Sequence, residues 1–118
     1  MADSIVAQKS FQFAIRIVNL YMFLKDQKHE FILAKQLVRS GTPIGANTEE
    51  AVAAQSKSDF IHKLHIALKE ARETGYWLRL LHATELLETA AFESIYRDCV
   101  ELQKMLSSII LTSKKTNS

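Results

Sequence analysis

Phe60, Leu64, Ala67, Ala71, Thr74, Leu78 and Leu81 step along the chain by 4, 3, 4, 3, 4 and 3 residues. That alternation puts every member on one stripe of an α-helix, and its mean period of 3.5 keeps the stripe against a neighbour running nearly parallel to it. A second series answers it: Phe92, Ile95, Cys99, Leu102, Leu106 and Ile109 step by 3, 4, 3, 4 and 3. Two such seams predict helices crossing at about 20°, the packing of a four-helix bundle. The 118 residues are 47% apolar and 24% charged, with one proline and three glycines, which suits a single all-α domain that buries its core without staples.

Periodicity divides the chain into four helices at about residues 5–25, 30–54, 58–83 and 90–111, with short connections that impose antiparallel, up-down-up-down order. Residues 1–118 are thus expected to form one bundle domain. Ser58 is expected to cap the third helix, with Asp59 beside its positive end. Residues 112–118, "TSKKTNS", read as a disordered tail.

The second helix contains the stretch "RSGTPIGANTEEA", residues 39–51, which holds two of the glycines and the only proline. An interior proline costs about 3 kcal/mol and each glycine about 1, so local propensity opposes a helix here by roughly 5 kcal/mol. Yet Ala34, Leu37, Gly41, Ile44, Thr48 and Ala51 keep stepping by 3, 4, 3, 4 and 3 through the breakers. A loop has no reason to preserve phase, so the reading is one helix kinked near Pro43. The alternative is a new helix with Thr42 as N-cap and Pro43 at its first position, nearly collinear with the first. Gly41 and Gly45, set among alanines, give a narrow surface for close approach of another backbone.

The first helix carries more apolar surface than one core can use. Eleven of the fourteen residues 11–24 are apolar, whereas a helix with one face on a core needs about three in seven. Phe13, Ile17, Leu20 and Leu24 form one stripe and Phe11, Ile15, Val18 and Met22 another. With the first stripe inward, the second is an expected oligomer interface, and the chain an expected homo-oligomer. The run is shorter than the about 20 residues of a membrane span and includes Arg16 and Asn19, so no membrane association is expected. The N-terminal "MADSIVAQKS" has no basic region or cleavage site of a secretory signal, and Cys99 has no partner for an internal disulfide, so a reducing, cytoplasmic location is expected, with Cys99 in the core.

No phosphate-binding glycine loop, paired CxxC, HExxH or nucleophile elbow is present. Carboxylate-bridged metal bundles need two Glu-x-x-His pairs and further inward glutamates; the chain offers only Asp59 with His62, and His62 with His65. The reading is therefore a non-enzyme with no metal and no cofactor. Fifteen Lys and Arg against thirteen Asp and Glu give a net charge of +2, which permits a nucleic-acid partner without demanding one. The surface feature that points to one is on the third helix: His62, His65, Lys69, Arg72, Tyr76 and Arg79 step by 3, 4, 3, 4 and 3 and share one face. Such a line can track a phosphate backbone of RNA or DNA, with Tyr76 placed to stack on a base. Glu70 and Glu73 lie next to it in sequence, so a solvated face, or an ion-paired rim between subunits or toward a protein partner, is the competing reading. Asn47 and Glu50, three apart on the second helix, are either buried and hydrogen-bonded across a contact or exposed.

"RSGTPIGANTEEA" followed by "SKSDFIHKLHIALKEARETGYWLRLL" resembles the four-helix-bundle family encoded by intervening sequences within bacterial 23S ribosomal RNA genes, and the likeness runs from "KSFQFAIRIVNLY" to "FESIYRDCVELQKMLSSII". The resemblance implies an antiparallel bundle, assembly into a homopentameric ring, and kinship with the accessory protein of diversity-generating retroelements, which binds nucleic acid and a reverse transcriptase. It marks Arg39, Gly41, Gly45, Asn47, Glu50, Ala51, Glu70, Glu73, Tyr76 and Trp77 as motif positions, none of them catalytic. The chain departs from the pattern at Pro43, Thr48 and Gly75, where the irregular helix and looser packing are expected.

Overall fold

The computed structural model describes residues 2–116, with side chains from residue 5 onward. The chain is an all-α antiparallel bundle in which the helices are α1 (Ala2–Asp26), α2 (Ile32–Gly41), α3 (Pro43–Val52), α4 (Lys57–Ala83) and α5 (Thr89–Lys115). The second expected helix is α2 and α3 together. Thr42 joins them with helical torsions, φ −79° and ψ −34°, and its hydroxyl donates back to the Val38 carbonyl at 2.8 Å instead of capping α3. Pro43 has no N–H to give to the preceding turn. The result is a bent rod in which Pro43 takes the first position of α3, as the alternative reading has it, but Thr42 keeps helical torsions and its side chain does not cap α3.

The phase-preserving residues of this rod are all buried: Ala34, Leu37, Gly41, Ile44, Thr48 and Ala51. They meet Phe13, Ile17 and Leu24 of α1 and the seam of α4 in one core that also takes Ile95, Cys99, Leu102 and Leu106 of α5. Ile110, not Ile109, is the buried residue that continues the α5 seam. The core hydroxyls satisfy themselves within their own helices. Ser10 donates to the Val6 carbonyl at 2.6 Å, and Thr48 to that of Ile44 at 2.7 Å. Ser40 and Thr74 also meet each other at 2.9 Å across α2 and α4. Thr48 is therefore fully buried without an orphaned oxygen.

The helix ends differ from expectation at the start of α4 and the end of α5. Ser56, not Ser58, caps α4, accepting from the Asp59 N–H at 3.1 Å; its extended backbone suits the cap, and Ser58 is already inside the first turn. Residues 112–115, expected as tail, continue α5, with Lys114 and Lys115 in the last turn where cations suit the helix dipole. Residues 117 and 118 of that tail lie outside the described residues. At the C-terminus of α4 the chain reverses through Glu85 at φ 63°, and the N–H of Leu86 returns to the Leu81 carbonyl at 2.9 Å. This is the left-handed helix stop usually made by glycine.

The three glycines are not equivalent. A Cβ on Gly41 would lie 2.7 Å from Ile17 Cγ2, and one on Gly45 would lie 3.3 Å from the Ser10 carbonyl oxygen. Both therefore permit α1 to approach the bent rod. A Cβ on Gly75 would meet nothing nearer than Gln103 Nε2 at 3.4 Å. Gly41→Ala should accordingly destabilise the fold by about 1–3 kcal/mol through overpacking, whereas Gly75→Ala should raise stability by about 0.5–1 kcal/mol through helix propensity. Urea unfolding of the two variants checks this; equal effects of the same sign would refute the distinction.

Candidate nucleic-acid interface

His62, His65, Lys69, Arg72, Tyr76 and Arg79 are all exposed along one side of α4, opposite the buried Leu64, Ala71, Leu78 and Leu81. The ion pairs among the described residues are Lys9 with Glu101, Arg16 with Asp98, Lys25 with Asp26, and Lys63 with Glu50. None uses Lys69, Arg72 or Arg79. Among the described residues, no carboxylate lies within ion-pairing distance of these three cations. Arg79 instead holds its guanidinium 5.9 Å over the Tyr76 ring, a cation–π arrangement that fixes both side chains.

The neighbouring acids turn to the other flank of α4. Glu73 accepts from the Trp77 indole N–H at 3.1 Å, and Trp77 stands edge-on to Tyr76 with centroids 5.0 Å apart. Burial, chiefly, together with the charge of Glu73 holds the Glu70 carboxyl above its usual range, against the opposing pull of Lys69 and Arg39. Glu50 is exposed and pairs with Lys63 at 2.9 Å, which raises the pKa of that lysine. Asn47 is half-buried and donates to the Pro43 carbonyl of its own helix at 2.9 Å. The two residues thus take different roles, and neither hydrogen-bonds as part of a buried pair.

On α1, Phe13, Ile17 and Leu24 are buried and Leu20 is half-buried, whereas Phe11, Ile15, Val18 and Met22 are 58%, 48%, 38% and 48% exposed. The helices α1 and α4 make no backbone contact and occupy diagonal corners, each flanked by the bent rod and α5. The apolar stripe of α1 and the basic stripe of α4 consequently face opposite directions.

Three features escaped the sequence reading. Arg16 reaches across to α5, donating to Asp98 Oδ2 at 2.6 Å and Ser94 Oγ at 3.0 Å; its place in an apolar run, off both stripes, was the available signal. A cavity of about 880 Å³ opens at one end of the bundle between Leu20, Phe23, Lys28 and the α4–α5 turn. His82 borders it, but its ring is stacked on Phe92 at 4.3 Å and paired with the Thr89 hydroxyl at 3.1 Å, an arrangement that holds the turn. The third is a groove between α4 and α5 beside Arg72 and Arg79. Among the described residues no three His, Cys, Asp or Glu side chains gather to hold a metal ion. No helix among them is long and apolar enough to cross a membrane.

Fold and surface define a class of protein: a helical bundle bearing a basic ridge on one corner helix and an apolar ridge on the diagonal one. The chain belongs to the 23S rRNA-intervening sequence protein family, whose sequence profile matches residues 2–108. The fold is similar to the crystal structure of a protein of unknown function from the S23 ribosomal protein family of Bacteroides thetaiotaomicron, with a TM-score of 0.92 and 56% identity over 94% of this chain and 99% of that one. Among curated proteins there is no match.

Cys99 is fully buried with its thiol 3.2 Å from the Ala71 carbonyl, and burial pushes its pKa up to about 11, slightly offset by a hydrogen bond from Gln103. The folded state holds this proton where the unfolded chain has begun to release it. Stability should therefore be undiminished below the ordinary thiol value of about 8.5 and be eroded as pH rises toward about 11. At pH 8 the native thiol should react with iodoacetamide on the order of 100-fold more slowly than the denatured chain. Stoichiometric labelling of the native protein at the denatured rate would contradict this placement.

Proposed function

We propose that the protein is a non-enzymatic, cytoplasmic homo-oligomer that binds nucleic acid through the exposed face of α4. The observation that carries this reading is that Lys69, Arg72 and Arg79, in a line with His65 and Tyr76 on one exposed face, form no ion pair among the described residues. Cations left free of carboxylates are available to displace counterions from phosphates. The diagonal arrangement supports the oligomer in the same stroke. Subunits joined through Phe11, Ile15, Val18 and Met22 leave α4 facing outward. A count of five is what the family resemblance implies.

Two experiments test the two halves. Light scattering after size exclusion should give an assembly several times 13.4 kDa, and Phe11→Glu with Ile15→Glu should reduce it to a helical monomer; a wild-type monomer at micromolar concentration would refute the interface. Titration with a mixed-sequence RNA should show binding that weakens steeply as salt rises. Arg72→Glu with Arg79→Glu should abolish it with the oligomer intact, because each phosphate contact contributes about one unit of salt slope. Unchanged binding in that double variant would move the site elsewhere. A stable oligomer that ignores nucleic acid at every salt concentration would leave a protein-interaction scaffold as the role.

A further inference from the structure

We propose that the groove between α4 and α5 seats an unpaired nucleobase, so that the nucleic acid taken by the α4 face is single-stranded; this deepens the nucleic-acid reading above and rests on it. The groove has a volume of about 300 Å³ and is lined by Arg72, Gly75, Tyr76, Arg79, Tyr96 and Gln103. It continues past Arg72 and Gln103 into a second hollow of about 390 Å³ reaching Lys104. Two aromatic rings, two guanidinium groups and a carboxamide therefore border one small opening. A single strand needs that combination: π-faces for a splayed base and fixed cations for its phosphates. A base inside a duplex is stacked and cannot enter.

Gly75 is what keeps the floor open. At Gly41 the missing side chain is demanded by Ile17, but at Gly75 the nearest atoms to an added Cβ are Gln103 Nε2 at 3.4 Å, Tyr96 Cε1 at 3.7 Å and Cys99 Sγ at 3.8 Å, all ordinary contacts. Helix packing does not require a glycine in mid-helix there, so what it provides is space. Gln103 then supplies a polar edge. Its Nε2 is turned inward, 3.4 Å from the Ala71 carbonyl and 3.5 Å from Cys99 Sγ, while its carboxamide oxygen has no partner among the described residues. That oxygen is an acceptor for a base amino or imino N–H. Tyr76, 49% exposed and steadied by Arg79, is the ring on which the base stacks.

The test is fluorescence anisotropy with the intact protein and end-labelled twelve-nucleotide probes at fixed salt: single-stranded RNA, single-stranded DNA of the same sequence, their duplexes, and an abasic strand. The single strands should bind about tenfold tighter than the duplexes or the abasic strand, and either sugar supports the proposal, the tighter arm naming the preferred one. Tyr76→Ala, which empties the stack, should lose about tenfold for the single strands and leave the abasic strand unaffected, with its melting temperature retained, and Gly75→Ala, which raises the floor by one methyl group, should weaken the single strands alone while folding at least as stably as the wild type. Equal binding of all probes, indifferent to Tyr76→Ala, overturns the base seat and leaves phosphate-backbone binding intact. No binding of any probe overturns both.

Discussion

The bundle depends on how closely α1 can lie against the bent rod of α2 and α3. Ile17 packs onto the bare backbone of Gly41, and Gly45 sits against the Ser10 carbonyl, where a methyl group would be held to a tight 3.3 Å. This approach accounts for tolerating two glycines and a proline in one helix, since local propensity alone would break it. It also keeps the molecule slender, about 51 × 20 × 19 Å across its Cα atoms. Leu24, Phe13 and Ile17 are buried in the core beneath it. The opposite apolar stripe of α1 is left facing water as a geometric consequence.

Diagonal placement then converts two sequence patterns into two functional directions. A helix at a corner of a four-helix bundle offers its outer face to nothing in its own subunit. For α1 that face is apolar, and for α4 it is cationic and aromatic. Under the proposed function, assembly through one and ligand binding through the other would not compete for area, and the 27-residue α4 presents its charges with the regular rise of a helix. The free cations are on this outer face, while the acids beside them in sequence are drawn toward Trp77 and Arg39.

Much of this was legible in the chain. The unbroken stepping from Ala34 to Ala51 foretold a continuous rod through Pro43, because a helical phase maintained across breakers reports tertiary packing that overrides propensity. The split of α1 into buried and exposed stripes followed from counting apolar residues against what one core can absorb. Local end effects were less legible. Ser56 and Ser58 are equally good caps on paper, and only the turn geometry selects the first. The polar "TSKK" continues a helix because its lysines suit the dipole, which composition does not weigh. Contacts between helices distant in sequence were invisible: Arg16 with Asp98, and the groove of Gly75, Tyr96 and Gln103, exist only once the axial register of neighbouring helices is set.

Between α1 and the rod, that register is written in volume. Ser10 and Thr48 spend their hydroxyls on carbonyls one turn back in their own helices, whereas the polar contacts that cross the core, Ser40 with Thr74 and Cys99 with the Ala71 carbonyl, join α4 to α2 and α5. What opposes sliding of α1 along the rod is the seating of Ile17 over Gly41, where a Cβ would come within 2.7 Å of its side chain. Positions 17 and 41 are thus two halves of one steric quantity, bulk on one side and its absence on the other. In any lineage of such chains they are free to change only together, a larger residue at one compensated by a smaller one at the other.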